Sequence, residues 1–130
     1  MIAGIGVDIV DVSRVERLVE RFGDRFVRRV FTDAEAKYAS GAANRGERLS
    51  GRFAVKEAFL KALGTGKSQG ILWRDVETVR GPMGKPVVRL HGQAIRWMRY
   101  RGATAVHVSI AHDGGKAVAY VILEKGGGTG

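Results

Sequence analysis

Asp8 stands inside an otherwise apolar run, Ile5-Gly6-Val7-Asp8-Ile9-Val10. A carboxylate there either faces water or is held by a cation, because burying an unpaired charge is costly. Strand alternation puts Gly6, Asp8 and Val10 on one face and Val7, Ile9 and Asp11 on the other. Gly4 and Gly6 let another backbone or a ligand approach closely. Further along, Glu57 and Lys61 are four apart, so on a helix they share a face with Phe53 and Leu60 nearby. They read as a surface ion pair or as polar groups at an apolar boundary. Lys56 and Lys61 project about 140° apart, a spread that suits different groups of one extended anion. Gly64-Thr65-Gly66-Lys67 offers backbone N–H groups and little bulk. It is not a phosphate-binding P-loop: the glycine spacing is wrong, and it follows a helix C-terminus, the unfavourable dipole end for phosphate. Ser109 and His112 invite a nucleophile reading, but three residues apart on a strand they face opposite ways, with no Gly-x-Ser-x-Gly turn. There is no cysteine and no His-x-x-x-His. Oxygen ligands without clustered His or Cys favour a hard cation, Mg²⁺ rather than Zn²⁺.

The elements that must carry these groups follow from pattern. An Ile/Val-rich strand is expected over 2–12, and Ser13-x-x-Glu16 reads as a capping box opening a helix with Val15, Leu18, Val19 and Phe22 on its apolar side. Gly23 is a plausible stop. A short helix follows over 24–30, with Phe26 and Val30 inward, and Thr32-x-x-Glu35 is a second capping box, starting a helix to about residue 43. After a turn at 44–46, the longest helix runs over 47–63 and ends at Gly64-Thr65-Gly66. Strands near 75–80 and 86–90 flank the turn Gly81-Pro82-Met83-Gly84. A helix over 91–101 has Ile95 and Met98 inward. Strands over 105–111 and 116–123 are joined by Asp113-Gly114-Gly115, a hairpin signal. Helices and strands mix without βαβ alternation, so the fold class is α+β with a largely antiparallel sheet and a long central helix. Residues 1–124 form one domain and 125–130 a flexible Gly-rich tail.

Composition narrows the function. In 130 residues, 22 Lys+Arg stand against 13 Asp+Glu, a net charge of +9, and Arg supplies most of the excess. Such a balance favours an anionic partner (nucleic acid, a phosphate-bearing small molecule or an acidic protein), or is simply a solubilising surface. Trp97 and Tyr100 among Arg96, Arg99 and Arg101 form the one segment that suits nucleic acid; the remaining aromatics, Phe22, Phe26, Phe53 and Phe59, fall on apolar stripes. Arg14, Arg17, Arg21, Arg25 and Arg28 recur every three or four residues and would make one basic stripe on a continuous helix. The absence of cysteine excludes thiol catalysis and disulfides, and fits a reducing compartment. No apolar stretch approaches the ~20 residues of a membrane span, and Met1 leads into no basic signal region, so a soluble cytoplasmic protein is expected.

Three segments taken together resemble a known family. Gly6-Val7-Asp8-Ile9-Val10 with Arg14, Gly51-Arg52-Phe53-Ala54-Val55-Lys56-Glu57-Ala58 with Lys61-Ala62-Leu63-Gly64, and His107-Val108-Ser109-Ile110-Ala111-His112-Asp113 are similar to the signatures of the holo-[acyl-carrier-protein] synthases, small bacterial 4′-phosphopantetheinyl transferases. Ala111 departs from the serine common before the histidine. The resemblance spans residues 1–124 and implies a trimeric enzyme with active sites at subunit clefts. Its reaction would transfer 4′-phosphopantetheine from coenzyme A to a serine of acidic apo-acyl carrier protein, for fatty acid biosynthesis, releasing adenosine 3′,5′-bisphosphate. It implies Asp8 and Glu57 as Mg²⁺ ligands, with Lys61 stabilising diphosphate charge and the serine proton passing to Glu57 or to a metal-bound water. Arg52, Lys56, Lys61, Gly64, Ser109 and His112 would contact coenzyme A, and Arg14 and Arg21 the carrier. An Arg over 45–52, or a Lys or His of a neighbouring subunit, is expected on the 3′-phosphate. Nucleic acid and membrane are not expected partners.

Overall fold

In a computed structural model that describes residues 1–126, the alternating first segment forms a strand, β1 (Ile2–Asp11). Gly6, Asp8 and Val10 face inward, whereas Ile5, Val7 and Ile9 are exposed. The chain continues through α1 (Val12–Phe22), α2 (Asp24–Val30), α3 (Asp33–Ala39) and α4 (Arg45–Leu63). A turn of 3-10 helix (Trp73–Asp75) leads to β2 (Val76–Arg80) and β3 (Pro86–Leu90), then α5 (Gly92–Tyr100), β4 (Ala103–Asp113) and β5 (Lys116–Lys125). β5 is the centre of a three-stranded antiparallel sheet in the order β1-β5-β4, and β2 and β3 form a separate antiparallel pair. The α+β antiparallel expectation stands.

α4 crosses the inner face of the larger sheet. It is buried nearly all round, with Leu49, Val55, Phe59 and Leu63 packed with Val10, Ala119, Val121 and Leu123 of the strands. Gly64 closes it in the left-handed region (φ 82°), donating its N–H back to Leu60 and Lys61. The β1 glycines set how near the sheet comes. A Cβ on Gly6 would lie 1.9 Å from the Ala58 carbonyl oxygen, and one on Gly4 would lie 2.1 Å from that of Ala62. Only backbone without side chains fits there.

Several boundaries differ from expectation. The Ser13 capping box does not form: Asp11 is the N-cap, without a side-chain bond, and α1 begins at Val12, whose N–H donates to Gly115 of the β4–β5 turn. The Thr32–Glu35 box forms as expected. α3 ends at Ala39 rather than near 43, because Gly41 turns the chain at φ 72°. α4 starts at Arg45, inside the expected turn. Phe22 is 45% exposed instead of core. The arginine stripe does not ride one helix, since Gly23 (φ 58°) separates α1 from α2. β5 continues to Lys125, so the expected tail starts later, and from 127 on it lies outside the described residues. No helix among the described residues is long and apolar enough to cross a membrane.

Candidate active site

The backbone contact between β1 and α4 brings three sequence-selected groups together. Asp8, almost fully buried on the inner face of β1, accepts a hydrogen bond at Oδ1 from the Lys61 Nζ (2.8 Å). The same ammonium donates to the Val7 carbonyl (3.1 Å). Lys61 remains half exposed, and its bond to Asp8 raises its pKa, so it stays charged. Asp8 Oδ2 is buried and has no partner among the described residues. Glu57, one turn before Lys61, points its carboxyl at Asp8. Burial, then the Asp8 carboxylate, push its pKa up to about 7, against the opposing pull of Arg14 and Lys61. Arg14 therefore belongs to the edge of this site; its guanidinium also lies over the Phe53 ring, 5.9 Å from the centroid. The reading of Glu57 and Lys61 as an isolated surface pair is replaced by an Asp8–Lys61 pair with Glu57 alongside.

The remaining selected residues do not converge there. Arg52, five residues before Glu57, points about 140° away around α4. It stacks on Tyr38 at 3.9 Å, with Arg48 at 4.4 Å and Arg80 at 5.7 Å from the same ring. The Nε atoms of Arg48 and Arg52 are buried without acceptors among the described residues, and burial lowers the Arg52 pKa. A cavity of about 430 Å³ opens beside them, with Lys37, Tyr38 and Arg80 in its wall. Arg48 falls in the range where an arginine is expected for the 3′-phosphate, whereas Tyr38 and Arg80 come from α3 and β2 and share no sequence spacing with it, so pattern alone could not select them. His112 donates from Nε2 to the Glu47 carbonyl (2.9 Å) beside Gly51. Ser109 sits on the outer sheet face opposite Tyr120, so no Ser–His couple exists.

Lys56 is a correction. Expected to contact coenzyme A, it is fully buried, and its ammonium donates to Glu35 Oε1 (2.7 Å) and to the Trp73 and Val76 carbonyls. Three donors are thereby used inside the core, and none is left for a ligand.

Arg14, Arg17 and Arg21 with Leu18 and Phe22 line a groove of about 620 Å³ along α1. Leu18 and Phe22 also line an adjoining groove with Arg25 and Arg29, so the basic surface continues past the Gly23 break by a different route.

Residues 4–121 match the family model described as the 4′-phosphopantetheinyl transferase superfamily. The chain belongs to this family. It is 46% identical to the holo-[acyl-carrier-protein] synthase of Koribacter versatilis, over 95% of this chain and 99% of that protein. Among solved structures it is similar to the holo-[acyl-carrier-protein] synthase of Neisseria meningitidis, with a TM-score of 0.88 and 34% identity over 96% of this chain and 100% of that one. The Helicobacter pylori synthase, solved in complex with coenzyme A, superposes with a TM-score of 0.81 at 31% identity, covering 92% and 99%. The protein is thus a phosphopantetheinyl transferase, and the first two signature segments are those that build the Asp8–Glu57–Lys61 cluster.

Proposed function

We propose that this transferase moves the 4′-phosphopantetheine group of coenzyme A to a serine of an acidic apo-acyl carrier protein, in a Mg²⁺-dependent reaction that serves fatty acid biosynthesis in the cytoplasm. The carboxylate pair carries the reading. Two carboxyl groups held together, with Asp8 buried and the Glu57 proton bound more tightly than usual beside it, form a charge pair that a cation would satisfy once that proton is lost. Two oxygen donors on separate elements match Mg²⁺, which usually takes one or two carboxylates and fills its other positions with water and substrate phosphate. Asp8 and Glu57 would hold the ion, which when bound neutralises charge on the diphosphate.

The chemistry of this chain's own groups follows. The carrier serine Oγ forms a bond to the β-phosphorus of coenzyme A. The bond from that phosphorus to the bridging oxygen breaks, and its electron pair leaves with adenosine 3′,5′-bisphosphate. Glu57, the carboxyl group beside Asp8, would take the serine proton, directly or through a water. Lys61, oriented by Asp8 Oδ1 and the Val7 carbonyl, meets the charge that builds on the diphosphate. Gly64 at the end of α4 and Ser109 are kept as further coenzyme A contacts.

The Arg52–Tyr38 cavity is assigned to the 3′-phosphate; His112, held on the Glu47 carbonyl outside that cavity, would contact another part of coenzyme A. Because Arg52 points away from Glu57 in one chain, the two half-sites would be joined across subunits of a homotrimer. An apolar outer sheet face supports this assembly: Ile5, Ile9 and Tyr120 are each more than half exposed.

Incubating the protein with coenzyme A, Mg²⁺ and an apo-carrier, followed by mass spectrometry, tests the reading. The carrier should gain one phosphopantetheine mass, and should not when EDTA replaces Mg²⁺. An unmodified carrier under both conditions overturns it. For the 3′-phosphate assignment, dephospho-coenzyme A should bind at least tenfold more weakly than coenzyme A by calorimetry; equal affinity removes the pocket from the site.

A further inference from the structure

Glycine contact fixes how near β1 comes to α4, but it offers no side-chain ridge to fix how α4 is turned. Gly4 and Gly6 lie against the carbonyl oxygens of Ala62 and Ala58, a smooth backbone-to-backbone surface. Rotation matters here. At a side-chain radius of about 5–6 Å, turning α4 by about 20° would sweep the Glu57 carboxyl by about 2 Å. The apolar side chains of α4 packed in the core resist part of that turning, and a polar anchor on another side of the helix would fix the rest.

Lys56 is the residue beside Glu57, about 100° round the helix from it and well away from the β1-facing side occupied by Ala58 and Ala62. Its ammonium is held by three acceptors on two other parts of the chain: Glu35 on α3, and the Trp73 and Val76 carbonyls at the entrance to β2. Those acceptors are themselves fixed. Glu35 Oε1 also accepts from the Thr32 N–H (2.9 Å), and Oε2 accepts from the Thr78 N–H (2.9 Å). The Thr32 hydroxyl donates to Glu77, whose other oxygen meets His91 Nε2 at 3.0 Å. The Trp73 ring lies on Phe53 of α4, 5.3 Å between centroids.

We infer that Lys56 is a positioning residue: its buried clamp to Glu35, Trp73 and Val76 fixes the rotation of α4, and so holds Glu57 against Asp8 in the geometry that takes the metal. The inference rests on the proposed Mg²⁺ role of Asp8 and Glu57. The clamp touches neither substrate nor metal. It also ties the far end of the 64–72 segment, which leaves α4 just beyond Lys61, to the same helix.

Lys56→Met alone leaves the Glu35 carboxylate buried without its cation, so Lys56→Met/Glu35→Gln, which removes both charges, is the principal variant. Glu35→Gln alone keeps the ammonium on its two carbonyls and is the gentler change. Mg²⁺ binding in the presence of coenzyme A is measured by calorimetry, per folded molecule as judged by near-ultraviolet circular dichroism, and compared with kcat and the KM for coenzyme A. The double variant should bind Mg²⁺ at least tenfold more weakly, lose ten- to a hundredfold in kcat and keep the KM for coenzyme A within about twofold. Glu35→Gln should weaken Mg²⁺ binding about threefold. A folded double variant with an unchanged Mg²⁺ constant overturns the inference; if the double variant does not fold, an unchanged constant in Glu35→Gln does so. Asp8→Ala separates this from the underlying reading. If Asp8→Ala binds Mg²⁺ like the parent, the metal reading itself fails; if Asp8→Ala loses Mg²⁺ and the clamp variants do not, only the clamp is wrong.

Discussion

Glu57 meets neutral pH with its proton about half released, and the consequences have a definite sign. Its pKa rises from the ordinary 4.5 to about 7 in the folded chain, first through burial and then through Asp8. Between those values the folded chain holds a proton that the unfolded chain has given up, so without divalent cations stability falls as pH rises from about 4.5 to about 7. Urea titrations in EDTA at pH 5 and pH 8 should show this loss, and Glu57→Gln should shrink it. Asp11, Glu77 and Glu124, whose pKa values are lowered, act in the opposite sense and below that window. Binding Mg²⁺ has to displace the Glu57 proton. Its affinity should therefore drop about tenfold from pH 8 to pH 6, with proton release visible as a buffer-dependent binding enthalpy. A pH-independent Mg²⁺ constant would show that Glu57 is not a ligand. The acidic half of this chemistry was readable from residue type, since Asp8 interrupts an apolar strand. The role of Lys56 was not. Its periodicity matches that of any charged helix residue, and its partner Glu35 lies 21 residues away on another helix.

At the scale of elements, the β1–α4 contact is the joint on which the site depends. Gly6→Ala places a methyl 1.9 Å from the Ala58 carbonyl, and neither backbone can yield cheaply. The strand must lift from the helix, which carries Asp8 away from Glu57. The cost should be ~1–3 kcal/mol in urea unfolding, with a larger proportional loss of transfer than of stability. Equal turnover per folded molecule in Gly6→Ala would mean that the spacing is not needed. Most of the architecture was legible because period-2 and period-3.6 patterns are local. The β1 alternation, the Thr32–Glu35 box and the Asp113-Gly114-Gly115 turn each form as their residues suggest. The start of α1 was not, because a tertiary bond decides it: Val12 donates to Gly115, more than a hundred residues on, and the Ser13 hydroxyl is left out of the cap. The division of the polar residues between two sides of α4 was likewise invisible without knowing which side meets the sheet.

Viewed as a whole molecule, the protein presents a basic groove on α1 beside the carboxylate site and an apolar sheet on its outer side. An acidic carrier docking on Arg14 and Arg21 would be steered by charge, and screened beyond ~8 Å at physiological ionic strength. Arg21→Glu should raise the KM for the carrier at low salt and leave that for coenzyme A nearly unchanged, with the difference narrowing as salt increases. A carrier KM indifferent to both salt and charge reversal would make the groove ordinary solvated surface. If the proposed trimer forms, Ile9→Asp on the outer face should leave only monomers in sedimentation analysis and abolish turnover, while the isolated chain stays folded. A monomeric parent protein, or an active monomeric variant, would refute assembly across subunits. The sheet order also bears on how the enzyme is made. Asp8 lies on β1, and among the described residues β1 pairs only with β5, where Ala119 sits opposite Asp8. During synthesis the strand that carries Asp8 waits, unpaired, for more than a hundred further residues, a closure that slows folding and leaves an apolar edge open. A nascent chain stalled before residue 116 would hold Asp8, Glu57 and Lys61 and still have no site, so activity appears only as the last strand of the sheet slots between its two neighbours.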